Sequence, residues 1–252
     1  MNLLLSLRSE VVKTRWTASY YLTLAAAAFG PFMSMMDIIF DGIEPGSRNR
    51  LFSKLMINSF EPVGFLVFPF FLILICTLLP QIEFKNNTWK QVLASPQSKA
   101  NVFLAKFMNI QWLILLFLLM SQIMMLVAVV IVHLMEPDLN VLNQPVNWWE
   151  VFRKVSNSYL SLQALCAIQF WLGLRFKNFI KPIGIGIGLW FAGSLMALEA
   201  KSSLAPYFPY SFHAYSFSQV HPKTYDYIGL SIAYAVVFLL LGFLDFKRRG
   251  KS

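Results

Sequence analysis

Charged residues are scarce in this sequence. Asp, Glu, Lys and Arg together make up 13% of the 252 residues, about half the share found in ordinary soluble domains. Apolar residues make up 57%, and the mean hydropathy is +0.59. This composition excludes an ordinary soluble domain and predicts an integral membrane protein. The net charge of +9 does not indicate a nucleic-acid partner, because the basic residues lie between apolar runs, where lipid headgroups are the expected counter-charge.

Signatures of catalysis and of metal binding are also missing. The sequence contains no G-x-x-x-x-G-K-[ST] motif, which excludes ATP hydrolysis by the P-loop route. Its three histidines, His133, His213 and His221, are dispersed and form no H-E-x-x-H pattern, so no metal or catalytic site is predicted. Cys76 and Cys166 both fall in apolar runs, where packing thiols are expected rather than a disulfide. We therefore expect neither an enzyme activity nor a cofactor on this chain.

Six stretches without any charged residue are long enough to cross the roughly 20-residue span of a bilayer. They predict an all-α integral membrane protein of a single domain, with six transmembrane helices. The stretches are 16–36, 62–82, 107–135, 155–174, 182–198 and 227–244. Because they hold no Asp, Glu, Lys or Arg, they argue against an ion-driven carrier, although ion sites built from carbonyl and hydroxyl groups stay open.

The basic residues favour one orientation. If the N-terminus is inside, 14 of the 21 Lys and Arg residues lie in inner segments, and 9 of the 12 acidic residues lie in outer loops. The positive-inside rule then places both termini in the cytosol. The same topology places the basic segment 83–106 in the cytosol and the aromatic segment 199–226 outside. That aromatic segment is expected to dip into the membrane or cap the bundle, with an ordinary structured loop as the alternative.

The N-terminal segment 1–15 has the pattern of an amphipathic surface helix. Leu4, Leu7 and Val11 recur at helical spacing, with polar residues between them, which suits a helix lying on the membrane. A frayed polar start to the first span is the alternative.

Two sets of residues inside the spans require an interpretation. Gly184 and Gly188 form a small-xxx-small pair, which favours helix packing over phosphate binding because they lie in an apolar span. Four polar residues give the stretch 155–174 a hydrophilic stripe, which either bonds neighbouring helices or lines a transport path, with packing favoured. The polar residues are Asn157, Ser158, Ser161 and Gln169.

The central segment 83–106 carries helix-capping signals. Thr88 and Gln91 stand at capping-box spacing, which predicts a short helix over 88–94. Ser95 and Pro96 supply an N-cap and a first-turn proline for a second helix that continues through Lys106 into the third span. A solvated basic loop is the alternative.

These residues resemble the permease subunits of type-2 ABC exporters, particularly the short six-span permeases of the lantibiotic-immunity and bacitracin-export kind. Chains of that family typically begin with a surface helix bearing E-x-x-K-x-[RK], which Glu10, Lys13 and Arg15 match. They also carry T-W-[KR]-x-x-x-x-x-P after the second span, followed by a helix that bears a lysine. The residues that match this second pattern are Thr88, Trp89, Lys90, Pro96 and Lys106.

The resemblance implies a function that the residues alone do not give. It implies that the surface helix and segment 88–99, including Gln91 and Lys99, rest on a separate ATPase subunit that binds ATP and Mg²⁺. It further implies a path between two permease copies or paralogues, surrounded by membrane lipids. An ATP-independent carrier and a non-transporting membrane scaffold or assembly factor are the alternatives.

Overall fold

The computed structural model describes residues 3–43, 48, 50–58, 60–86, 89, 97–198, 203–217 and 226–249. Every regular element in these ranges is helical. Ten α-helices are described: α1 (Leu3–Thr14), α2 (Ala18–Asp41), α3 (Leu51–Asn58), α4 (Phe60–Lys85), α5 (Lys99–Met135), α6 (Trp148–Ser161), α7 (Gln163–Arg175), α8 (Ile180–Leu198), α9 (Phe212–Phe217) and α10 (Tyr227–Arg249). Short 3-10 turns cover Pro137–Leu139, Val141–Asn143 and Ala205–Tyr207.

Five of the described helices are long and apolar enough to cross a membrane: α2, α4, α5, α8 and α10. The predicted fourth span, 155–174, is not one helix. It is divided between α6 and α7, which meet at Leu162, and neither half reaches the length of a span. The structure therefore describes this stretch as two consecutive helices, and the prediction of a sixth span there stays a prediction.

The break at Leu162 has a specific cause. The Ser231 hydroxyl of α10 donates to the Ser161 carbonyl at 3.0 Å and accepts from the Ala164 amide at 3.1 Å. A side chain inserted into the i→i−4 ladder is a known origin of helix interruptions. Since Ser231 takes over both backbone groups, the interruption leaves neither of them unsatisfied.

The long helices pack around an aromatic and aliphatic core. Phe117 of α5 stacks on Phe68 and Phe71 of α4, with ring centroids 4.9 Å and 4.7 Å apart. Cys76 and Cys166 are both buried, with their Sγ atoms 3.6 Å apart where α4 packs on α7. Stacked rings and close helix contacts of this kind are typical of a well-packed core.

The two ends of the bundle differ in charge. The end of α4, the start of α5 and the ends of α7 and α10 lie together, and an ion pair of 3.2 Å joins Arg175 to Asp245 there. We call this the basic end, since it carries Lys85, Lys99 and Lys247. The opposite end holds α3, the 3-10 turns after α5, the start of α6, and residues 203–217.

Residues 203–217 pack against the helices at that opposite end. Tyr210, Phe212 and Tyr215 are buried, and the Tyr210 hydroxyl donates to Gln169 Oε1 at 3.3 Å. Gly193 of α8 lies against this segment so closely that a Cβ there would come within 2.7 Å of the Tyr210 carbonyl carbon. This part of the aromatic segment is therefore built into the bundle.

Candidate functional site

A group of four charged side chains, three of them buried, lies at the basic end. We call Glu10, Lys13, Glu83 and Lys106 the ion cluster. Lys106 Nζ donates to Glu10 Oε2 at 2.8 Å and also to Glu83 Oε1. Lys13 Nζ donates to Glu10 Oε1 at 2.8 Å and lies 3.6 Å from Glu83 Oε1. The cluster thus joins the surface helix α1 to the end of α4 and to the second turn of α5.

The charges of the ion cluster balance formally, two against two. The Lys106 and Glu83 side chains are almost completely buried, at 4% and 3% exposure. An isolated buried charge is very costly, so groups of this kind persist only with partners at hydrogen-bond distance. α1, α4 and α5 must therefore move together or separate buried opposite charges.

The contacts within the ion cluster also determine the charge of its two residues on α1, Glu10 and Lys13. Burial opposes ionisation of Glu10, but the Lys106 and Lys13 ammonium groups outweigh it, and the pKa of Glu10 lies below its ordinary value. Burial likewise opposes the charge on Lys13, but Glu10 and Glu83 outweigh it and raise the pKa of Lys13. Both groups are therefore charged at neutral pH.

Trp89 connects the ion cluster to the segment after α4. Its ring lies between Phe84 and Phe246, with centroid distances of 5.3 Å and 5.8 Å. Lys106 Nζ is 5.5 Å from the centre of the Trp89 ring, which is within the range of a cation–π contact. One ammonium group therefore contacts both carboxylates of the cluster and this tryptophan.

Asn109 extends the polar contacts between α1 and α5. Its buried side chain donates to Thr14 Oγ1 at 3.3 Å and reaches the Glu10 carbonyl at 3.5 Å.

The buried residues of α1 are all polar: Ser6, Glu10 and Thr14, whereas Leu4 is 75% exposed. The polar face of α1 therefore packs on the bundle, whereas Leu4 is exposed and Leu7 and Val11 are half-buried. A chain reversal with a positive φ of 64° at Trp16 then leads into α2.

Sequence reasoning found part of this site. The resemblance singled out Glu10, Lys13, Trp89 and Lys106, which the fold brings together. It missed Glu83 and Asn109, although an acid at the end of one apolar run and an amide one turn after a lysine are readable signals for buried polar partners.

The remaining residues predicted for the site lie elsewhere. The Arg15 guanidinium lies over the Trp16 ring, 5.5 Å from its centre, and Lys99 Nζ approaches the Lys247 carbonyl at 3.5 Å.

The helix that enters the third span begins at Lys99, and the Ser98 side chain accepts a hydrogen bond from the Asn101 amide at 3.1 Å. The prediction of an N-cap at Ser95 for that helix is therefore wrong, since Ser98 is the cap. Four predicted site residues lie outside the described ranges: Thr88, Lys90, Gln91 and Pro96.

The predicted polar stripe is split by the helix break. Ser158 and Ser161 are buried beside the break, and Ser161 Oγ donates to the Ser158 carbonyl at 3.0 Å, whereas Asn157 is half-buried. Gln169 is fully buried and donates to Thr77 Oγ1 at 3.1 Å and to the Pro182 carbonyl at 2.7 Å. These contacts join neighbouring helices and favour packing over a transport path.

The two glycines predicted to pack helices face outward. A Cβ at Gly184 or Gly188 would meet nothing within 4 Å. The glycines of α8 that do permit close contacts within the chain are Gly193, described above, and Gly186, where a Cβ would come within 2.6 Å of Gln169 Oε1. Gly184 and Gly188 therefore contact no neighbouring helix among the described residues, and their assignment as helix-packing residues stays a prediction.

Comparison with known proteins gives one result that covers most of the chain. Residues 6–193 match the family model described as "ABC-2 family transporter protein". No curated protein matches the chain. The matched region begins within the surface helix, includes the whole ion cluster and continues to Gly193 of α8.

Proposed function

The chain belongs to the ABC-2 family of transporter proteins, and from that premise we propose that it is the permease half of an exporter driven by a separate ATPase. As a family member it is a multi-pass, non-catalytic membrane subunit of an ABC transporter. In the proposal, ATP and Mg²⁺ bind to the partner subunit, and this chain couples to that partner through residues 83–106. The proposed location is a bacterial plasma membrane with both termini in the cytosol.

The ion cluster is the observation that carries this proposal. Segment 86–98 connects α4 to α5, and Trp89 within it contacts Lys106, which in turn holds Glu10 and Glu83. A force applied to this segment by an ATPase would reach the surface helix and the third span through one buried set of charges. This arrangement suits transmission, because separating a buried ion pair leaves uncompensated buried charges, which is strongly unfavourable.

The proposed transport path lies between two permease copies or paralogues. The outward face of α8 supports this part of the proposal, because Gly184 and Gly188 leave a shallow surface that no described part of the chain occupies. Glycines on an exposed face permit close approach of another helix within a membrane.

Co-purification with the ATPase subunit tests the coupling role. We expect Trp89→Ala combined with Lys90→Glu to release the ATPase from the permease in a detergent pull-down. The control combines Trp112→Ala with Arg248→Glu, which removes an exposed indole and reverses an exposed charge elsewhere. A monodisperse elution profile must show that both variants fold. Undiminished co-purification of the Trp89/Lys90 variant would contradict the coupling assignment.

Labelling of single cysteines in intact cells tests the orientation. Cysteine at Ser98, at the basic end, is expected to resist a membrane-impermeant maleimide, whereas cysteine at Asp138, exposed at the opposite end, is expected to react. The native Cys76 and Cys166 are buried and supply the unlabelled background. Labelling at Ser98 without labelling at Asp138 would reverse the proposed topology.

A further inference from the structure

A cavity of about 730 Å³ opens at the basic end, apart from the ion cluster. Three segments surround it: the start of α2, the last two turns of α4, and the connection between α7 and α8. Gln81 Nε2 donates to the Phe176 carbonyl at 2.8 Å and ties α4 to that connection. The volume falls within the range of about 300 to 1,000 Å³ that is usual for ligand sites.

The cavity lining divides into an apolar wall and a cationic rim. Leu78, Ile82 and Phe179 supply apolar surface, while Lys85 and Lys177 carry exposed amines. No Asp or Glu lines the cavity, and neither lysine forms an ion pair among the described residues. Glu83 lies between lining residues in the sequence, but its carboxylate contacts Lys106 in the ion cluster instead. The rim is therefore positively charged without a counter-charge of its own.

The position of the cavity along the bundle matches the lipid headgroup level. α2 begins at Ala18, α4 ends at Lys85 and α8 begins at Ile180, so the cavity lies where three apolar helices reach their ends. Lysines at such ends extend their amines toward the headgroups while their methylene chains stay on apolar surface. Basic pockets between membrane helices at this depth suit anionic headgroups.

From these observations we infer that the cavity binds one phospholipid with an anionic headgroup. Lys85 and Lys177 hold the phosphate, and an acyl chain follows the wall formed by Leu78, Ile82 and Phe179. This site requires neither the ATPase nor a transported substrate. It would make the joint between α2, α4 and α8 sensitive to the charge of the surrounding membrane.

Native mass spectrometry of the purified, delipidated chain tests the inference. Phosphatidylglycerol is titrated against phosphatidylcholine with the same acyl chains. We expect one saturable phosphatidylglycerol adduct with at least tenfold preference, and loss of that preference in Lys85→Gln/Lys177→Gln. The matched control, Lys181→Gln/Arg248→Gln, removes two exposed charges that do not line the cavity and should keep the preference. Equal loss in both double variants, or no loss in either, would refute the site.

Two further measurements separate a lipid from its headgroup alone. Ala18→Phe narrows the cavity without changing its charge and should weaken the adduct, whereas Ala25→Phe, outside the cavity, should not. Inorganic phosphate at millimolar concentration should neither raise the melting temperature to the level reached with phosphatidylglycerol nor displace the lipid. If phosphate alone reproduces the whole stabilisation, the site recognises a free anion and the lipid assignment fails.

Discussion

Lys106 Nζ lies 2.8 Å from Glu10 Oε2, across 96 positions of sequence and between two different helices. With Glu83 on its other side, this one amine joins the surface helix to two long helices of the bundle. Since a lysine at the start of an apolar run would otherwise be expected to extend toward water, its burial here is due to these two acids.

Removal of Lys106 is predicted to destabilise the protein strongly. Lys106→Met leaves the Glu10 and Glu83 carboxylates buried with only the more exposed Lys13 as partner, and breaking a buried ion pair from one side costs about 3 to 5 kcal/mol. We expect a clear fall in melting temperature in detergent. Lys99→Met, at the start of the same helix, is the control and should leave the melting temperature nearly unchanged. A triple variant that also carries Glu10→Gln and Glu83→Gln should recover part of the loss, because it removes the orphaned charges.

Stability is predicted to depend on the ionisation of Glu10. Its pKa in the folded chain is lowered by Lys106 and Lys13, so its stabilising effect is complete above the ordinary carboxyl pKa of about 4.3 and is lost as the pH falls through the lower folded value. The difference in melting temperature between wild type and Glu10→Gln should be large at pH 7 and should shrink below about pH 4. A difference that stays constant down to pH 3 would show that Glu10 acts without its charge.

The helix break at Leu162 is predicted to depend on Ser231. Ser231→Ala removes the hydroxyl that satisfies the Ser161 carbonyl and the Ala164 amide, and such unsatisfied buried groups cost about 1 to 3 kcal/mol each. We expect faster hydrogen exchange at residues 161–165 and a lower melting temperature. Ser156→Ala, a half-buried serine on α6, is the control. Unchanged exchange in the Ser231 variant would mean that the break is intrinsic to the sequence of α6 and α7.

Two glycines of α8 are predicted to respond differently to the same added methyl group. Gly193→Ala places a Cβ within 2.7 Å of the Tyr210 backbone, and overpacking of this kind costs about 1 to 3 kcal/mol. Gly188→Ala meets nothing within 4 Å and should leave the stability of the isolated chain unchanged or slightly higher, as alanine favours a helix over glycine. Thermal unfolding of the two variants in detergent measures the contrast directly.

The sequence predicts the long helices well, because apolar length is the dominant signal in a membrane protein. It fails at Leu162, where the interruption depends on Ser231, a residue 70 positions away that no local pattern reveals. The sequence also does not say which face of α1 packs on the bundle. Leu4, Leu7 and Val11 indicate an apolar face, but periodicity alone does not say whether that face meets protein or lipid, and the buried partners of Glu10 direct the polar face inward.

The candidate site is likewise predicted only in part by the sequence. The residues Glu10, Lys13, Trp89 and Lys106 are visible as two short patterns, but their meeting in space requires the fold. The outward direction of Gly184 and Gly188 is equally a matter of helix rotation, since Gly186 and Gly193 of the same helix face the bundle. Spacing defines which residues share a face, whereas the neighbouring helices decide which face is buried.

The length of α5 has a geometric consequence for this family member. Its 37 residues at about 1.5 Å each give a rod of about 55 Å, well beyond the roughly 30 Å of hydrocarbon it crosses. With one end fixed, a rotation of about 5° would displace the other end by about 5 Å, nearly one helical pitch. A small angular change at the basic end is therefore sufficient to open or close a gap of molecular width on the far side of the membrane.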